Sequence, residues 1–167
     1  HFATPYRQTS IAKLMSLEPS VVRGNASEIL ALQGEETEAK GVDSQEGVET
    51  ALNASKKLAK KHDCTIFVTG VTDIITDGVR VTRVSGGSSL MSSVTAIGCS
   101  LTCLVGAFTA ITDPYTASVS AATLFAEAGH KAELSANGPA SFRMHFIDQL
   151  SCVNPHNFSN LKWADSV

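Results

Sequence analysis

Apolar positions recur along this chain with two alternating periods, and their order predicts the architecture. Thr9 to Leu17 reads as a helix that ends before Pro19, followed by Ser20-Val21-Val22-Arg23 as a short buried strand. Asn25 then caps a helix through Leu32, which Gly34 stops. From Gly47 to Lys61 the residues Val48, Ala51, Leu52, Ala54 and Leu58 fall at helical spacing, so the segment predicts an amphipathic helix with a lysine-rich outer face. Thr65-Ile66-Phe67-Val68-Thr69-Gly70 is a continuous apolar run of the kind a parallel sheet buries on both faces. Asp73 to Thr76 and Val79 to Val84 flank Asp77-Gly78, a residue pair suited to a tight hairpin, and predict a projecting β-ribbon. Leu101, Leu104, Val105, Phe108 and Thr112 predict a helix opening at Gly98, with further helices from Ala117 to Glu133 and from Pro139 to Leu150. Residues 154–167 show little period and are expected to form an irregular tail. Helices alternating with strands predict an α/β fold, a mainly parallel sheet flanked by helices.

At 167 residues and 43% hydrophobic content, the chain suffices for one domain with a sizeable core, and no repeat or linker divides it. The net charge of −3 and the scattering of basic residues, apart from Lys56-Lys57 and Lys60-Lys61, argue against nucleic acid or an anionic membrane as partner. Leu101 to Ile111 is the longest apolar stretch, and it falls short of the roughly 20 residues of a spanning helix. No signal peptide is read. Cysteines 64, 99, 103 and 152 lack the CxxC spacing of a zinc site, and a reducing cytoplasm is the expectation. Cys99 and Cys103 lie one helical turn apart, where a disulfide rarely forms, and read as separate thiols.

Candidate chemistry concentrates at three places. In Val94-Thr95-Ala96-Ile97-Gly98-Cys99-Ser100-Leu101, a small-residue turn opens an apolar helix with a thiol in its first turn. Helix N-termini favour phosphate oxygens, although most such turns bind nothing. In Arg23-Gly24-Asn25-Ala26-Ser27-Glu28, Asn25 and Glu28 have the spacing of a capping box. That explains the pair but not Arg23, whose place at the carboxyl end of a strand aims it at the crevice where α/β sheets bind ligands. With Arg23 on phosphate, Glu28 would position a hydrated Mg2+ instead, and the two readings stand side by side. Thr69 ends the apolar strand, so Arg23, Thr69 and the turn before Cys99 are expected to converge on one edge of the sheet.

The segments Arg-Gly-Asn-Ala-Ser-Glu-Ile (23–29), Lys40-Gly41-Val42-Asp43-Ser44, Val68-Thr69-Gly70 with Thr76-Asp77-Gly78, Thr95 to Leu101, and Gly138-Pro139-Ala140-Ser141-Phe142 together resemble the hydroxyethylthiazole kinase family. They stand in the family's order and spacing, and the resemblance extends to about Leu150. It implies a ribokinase-like fold, a homotrimer, and transfer of the ATP γ-phosphate to the hydroxyl of 4-methyl-5-(2-hydroxyethyl)thiazole in thiamine biosynthesis or salvage. Under it, Arg23, Thr69, Asn25 and Ile97 contact ATP, and Glu28 orders Mg2+ through water. Residues Ala96 to Cys99 form the anion hole, in which Ala96 meets the thiazole. Gly98 and Cys99 occupy the catalytic turn, with Cys99 as a positioning group or weak base where related sugar kinases carry Asp.

Three departures from the pattern stand out. Ala96 replaces a usual Gly in the turn, where a methyl group narrows the approach or strains the backbone. Ala140 replaces another frequent Gly, a milder change. The family's fold also starts well before the equivalent of Thr9, so the resemblance implies a fragment carrying the C-terminal part of the fold. Two rival readings follow. One is an inactive remnant that binds nucleotide or forms oligomers; the other is a hydrolase or transferase with Cys99 as nucleophile, which needs a histidine partner.

Overall fold

Strand β1 (Val21–Asn25) pairs in parallel with β2 (Thr65–Thr69), in a register that sets Val21 opposite Thr65 and Asn25 opposite Thr69. A computed structural model describes residues 4–34, 45–152 and 162–166, with side chains described over 4–34 and 49–152. Strand β3 (Thr72–Thr76) returns antiparallel to β2, and β4 (Val81–Ser85) and β5 (Lys162–Ser166) complete a sheet of order β1-β2-β3-β4-β5. The helices are α1 (Pro5–Met15), α2 (Ala26–Gln33), α3 (Gln45–His62), α4 (Ile97–Thr109), α5 (Pro114–Glu133) and α6 (Pro139–Cys152), with a short 3-10 turn over Ser89–Ser93. The chain divides into two compact units, His1–Thr82 with Asp165–Val167, and Arg83–Ala164.

The first unit is built on β2, whose residues 65–68 are all buried, as the unbroken apolar run predicts. Ile66, Val68, Ile74 and Val81 of the sheet pack with Ile29 of α2 and with Leu52, Leu58 and Ala59 of α3. Leu52 and Leu58 lie on the stripe read from sequence, which Ala59 extends, and Lys57, Lys60 and Lys61 lie on the exposed face of the helix. Helix α1 starts four residues ahead of the predicted Thr9. Thr4 caps it by accepting a hydrogen bond from the Arg7 N–H at 3.3 Å, and Pro5 stands at its first turn, where a missing N–H costs nothing.

The predicted ribbon does form around Asp77-Gly78, and it is continuous with the sheet because Ile74, Ile75, Val81 and Val84 are buried. Asp77 Oδ1 accepts from the N–H groups of Val79 at 3.0 Å and Arg80 at 2.7 Å, and its Oδ2 accepts from Arg80 Nε at 2.7 Å. Partial burial pushes the Asp77 carboxyl up, but these bonds and the Arg80 charge outweigh it and leave the group below its ordinary range.

In the second unit α5 packs against both α4 and α6. Phe125 meets Phe146 edge to face at 4.8 Å, and Phe142 stacks on Phe146 at 5.7 Å, contacts worth about 1 kcal/mol each beyond their burial. The fully buried Glu127 accepts from Lys131 Nζ at 3.0 Å one turn along α5, so its charge is compensated within the helix. Residues 162–166, read from sequence as part of an irregular tail, form β5. Sheet pairing rather than any pattern of Lys-Trp-Ala-Asp-Ser makes them a strand. The rest of that expected tail, apart from 162–166, lies outside the described residues.

Gly78 sits at φ 92°, and a Cβ there would stand 2.6 Å from Lys60 Cγ and 3.4 Å from the Lys56 carbonyl oxygen. Gly78→Ala is therefore expected to destabilise the protein by about 2 kcal/mol, combining left-handed strain with the displaced α3 backbone, as measured by urea unfolding.

Candidate functional site

The polar cluster of the first unit forms where β1 runs directly into α2. Asn25 is both the last residue of β1 and the N-cap of α2, and the capping box is complete. Asn25 Oδ1 accepts from the Glu28 N–H at 2.9 Å and from Ser27 Oγ at 2.8 Å, while Glu28 Oε2 accepts from the Asn25 N–H at 2.8 Å. Gly24 makes this possible, since a Cβ there would lie 3.1 Å from Glu28 Cβ and 3.2 Å from Glu28 Oε2. The helix ends at Gly34, left-handed at φ 85°.

Arg23 stands opposite Phe67 in the register, yet its guanidinium reaches two positions farther along β2, where Nη1 donates to Thr69 Oγ1 at 3.1 Å. The Thr69 hydroxyl in turn donates to the Gly24 carbonyl at 3.3 Å. The parallel pair thus gathers Arg23, Asn25, Glu28 and Thr69 at its carboxyl ends, where ligands of α/β sheets bind.

Asp73 was read from sequence only as the start of a strand, and it belongs to this cluster. Its Oδ1 accepts from the Gly70 N–H at 3.0 Å, closing the turn after β2. Burial pushes its carboxyl up to about 6, against the lowering effects of the Gly70 N–H and the Arg23 charge. The available signal was Thr-Gly-x-x-Asp after a buried strand, where a carboxylate three residues on can accept from the glycine N–H.

In the second unit, α4 opens at Ile97, one residue ahead of the predicted Gly98. Ala96 is its N-cap at φ 71° and ψ 3°, a left-handed conformation that L-residues with a Cβ rarely adopt. The first ladder bond runs from the Ser100 N–H to the Ala96 carbonyl at 2.9 Å, so the N–H groups of Ile97, Gly98 and Cys99 precede the ladder. An alanine side chain cannot cap them. Cys99 and Cys103 are exposed free thiols, as the spacing of the two residues suggested, and Cys152 is exposed as well. Cys64 is buried, and burial together with the Asp63 charge pushes its thiol up to about 11, which keeps it protonated. The Lys40–Ser44 motif lies outside the described residues. Among the described residues no three His, Cys, Asp or Glu cluster as a metal site, and no helix is long and apolar enough to cross a membrane.

A capped β-to-α junction, a polar strand end and helices packed on the sheet make this an α/β protein. A model of the hydroxyethylthiazole kinase family matches residues 1–156, and the chain belongs to that family. It is similar to the hydroxyethylthiazole kinase of Gemmatimonas aurantiaca, 50% identical over 159 residues that cover 95% of this chain and 57% of the relative. The enzyme of that name from Rhizobium johnstonii is 49% identical over 156 residues, covering 92% of this chain and 58% of the relative. A solved structure of hydroxyethylthiazole kinase protein from Pyrococcus horikoshii OT3 superposes with a TM-score of 0.88 at 32% identity, covering 99% of this chain and 62% of that one. The chain thus spans about three fifths of the length of these proteins.

Two measurements test the cluster and the turn. The raised Asp73 pKa means that the folded state binds the proton more tightly than the unfolded chain. Its stabilising contribution is full below the ordinary value of 3.8 and is lost as pH rises through about 6. Asp73→Asn keeps the acceptor for Gly70 and does not titrate, so wild type is expected to lose about 2 kcal/mol relative to this variant from about pH 4 to 7 in urea unfolding. Ala96→Gly removes the left-handed strain and is expected to raise stability by about 1 kcal/mol, visible as a higher midpoint of thermal unfolding.

Proposed function

We propose that the chain takes part in transfer of the ATP γ-phosphate to the hydroxyl of 4-methyl-5-(2-hydroxyethyl)thiazole, a reaction of thiamine biosynthesis or salvage. The observation that carries the reading is the Arg23–Thr69 hydrogen bond at the carboxyl ends of a parallel pair, in a chain of this family. Phosphoryl transfer asks mostly for positioning and charge neutralisation, which these groups supply. Arg23 neutralises phosphate charge, and Thr69 holds its guanidinium in place and contacts the nucleotide, as does Asn25. The N–H groups at the start of α4, including that of Gly98, steady the charge of the transferring group. Cys99 stands beside the acceptor hydroxyl as a positioning group or weak base, and Ala96 meets the thiazole.

Mg2+ retains most of its water and needs only one or two carboxylates beside substrate phosphates, so Glu28 suits it even with Oε2 engaged in the cap. Bound there, the ion supplies neutralisation of phosphate charge. The reading includes a homotrimer and a cytoplasmic location, the latter in keeping with four free thiols. A second reading, an inactive nucleotide-binding or oligomer-forming remnant, draws support from the strained Ala96 in the turn.

Titration calorimetry with ATP and Mg2+, followed by ADP release with and without the thiazole alcohol, separates the two. Thiazole-dependent release is expected; binding without it favours the nucleotide-binding remnant, and no binding removes both of these and leaves only an oligomer-forming one. Glu28→Gln divides cap from metal partner, because Gln at the third helical position still closes a capping box. Unfolding free energy is expected to change by no more than about 0.5 kcal/mol. The Mg2+ concentration for half-maximal ADP release is expected to rise at least about tenfold, the loss of roughly 1.4 kcal/mol of ion binding. An unchanged requirement would make Glu28 a cap alone.

A further inference from the structure

Helix α4 buries Leu101 and Val105 and turns Cys99 and Cys103 outward, both as free, exposed thiols four positions apart. Residues at that spacing share a helix face with Cβ atoms about 5–6 Å apart. A disulfide needs Cβ atoms about 3.5–4.5 Å apart, so the pair does not join directly while the helix stays intact. A link with one additional atom between the sulfurs does span it. The surroundings leave room for such a link. The hydroxyls of Ser100 and Thr102 turn back to the carbonyls of Ala96 and Gly98 at 3.0 and 3.2 Å, and a Cβ built on Gly106 would meet nothing within 4 Å. Cys64 is buried, and Cys152 at the end of α6 has no cysteine one turn away.

We propose that Cys99 and Cys103 form a dithiol site for trivalent arsenicals. An organoarsenoxide condenses with the two thiols: two arsenic–sulfur bonds form, the arsenic–oxygen double bond breaks, and the oxygen leaves as water with both thiol protons. Arsenic stays trivalent and both sulfurs keep their oxidation state, so no oxidant or reductant takes part. The adduct bridges the first and second turns of α4. Its effect on phosphoryl transfer rests on the function proposed above, whereas its formation does not.

Intact-mass spectrometry of the whole chain with phenylarsine oxide tests the site. One arylarsenic group per chain is expected, resistant to excess 2-mercaptoethanol and removed by 2,3-dimercaptopropanol, because only a second dithiol matches the chelate. Cys152→Ser is expected to retain this adduct, while Cys99→Ser and Cys103→Ser each weaken it at least tenfold. Cys103→Ala provides a second probe of the same position, with circular dichroism confirming the helix content of every variant. An adduct that the monothiol strips from the unaltered chain, or that survives undiminished in either Cys103 variant, would overturn the proposal. A resistant adduct on a chain that fails to bind ATP would support the dithiol site and count only against the kinase reading.

Discussion

The first unit depends on the parallel register of β1 with β2. Five residue pairs, from Val21 with Thr65 to Asn25 with Thr69, bring Arg23 within hydrogen-bond distance of a threonine 46 positions later in sequence. What holds the register is apolar burial: Ile66, Phe67 and Val68 are almost wholly removed from water, and none can be turned outward without large cost. A slip of one residue would exchange the faces of the strand and carry the guanidinium away from the hydroxyl. The core thus specifies a polar contact without contributing any polar atom to it.

Local signals were legible in the sequence to the extent that they stayed local. The capping box, the left-handed Gly34 and the Asp77-Gly78 turn each rest on a few neighbouring side chains, and each formed where the spacing placed it. The stripe of α3 and the buried run of β2 were equally readable, because burial on one or both faces leaves a periodic trace. Asp73 was not readable as a member of the cluster, since its raised pKa arises from burial that only the folded sheet supplies. Strand β5 was missed for a related reason: its residues take strand form from their neighbour. The start of α1 was within reach, as Thr4-Pro5 is a standard opening, but the absence of any buried residue on that helix left no period to reinforce it.

Glu28 carries a structural role that bears directly on the chemical one proposed for it. Its carboxylate folds back over Gly24 to hold the Asn25 N–H, which fixes the direction in which α2 leaves the strand. The same contact fixes the carboxylate in space near the Arg23 guanidinium. A cap and an ion partner want the same thing from this residue, a carboxylate that does not wander, so one role does not argue against the other.

The left-handed Ala96 has a consequence for order as well as for strain. A glycine at that position would explore several backbone basins in the unfolded chain. The methyl group confines the backbone at the entry to α4 to a narrow well. Strain accepted in the polypeptide is returned as order: the turn that opens α4 has fewer backbone states to lose when it forms.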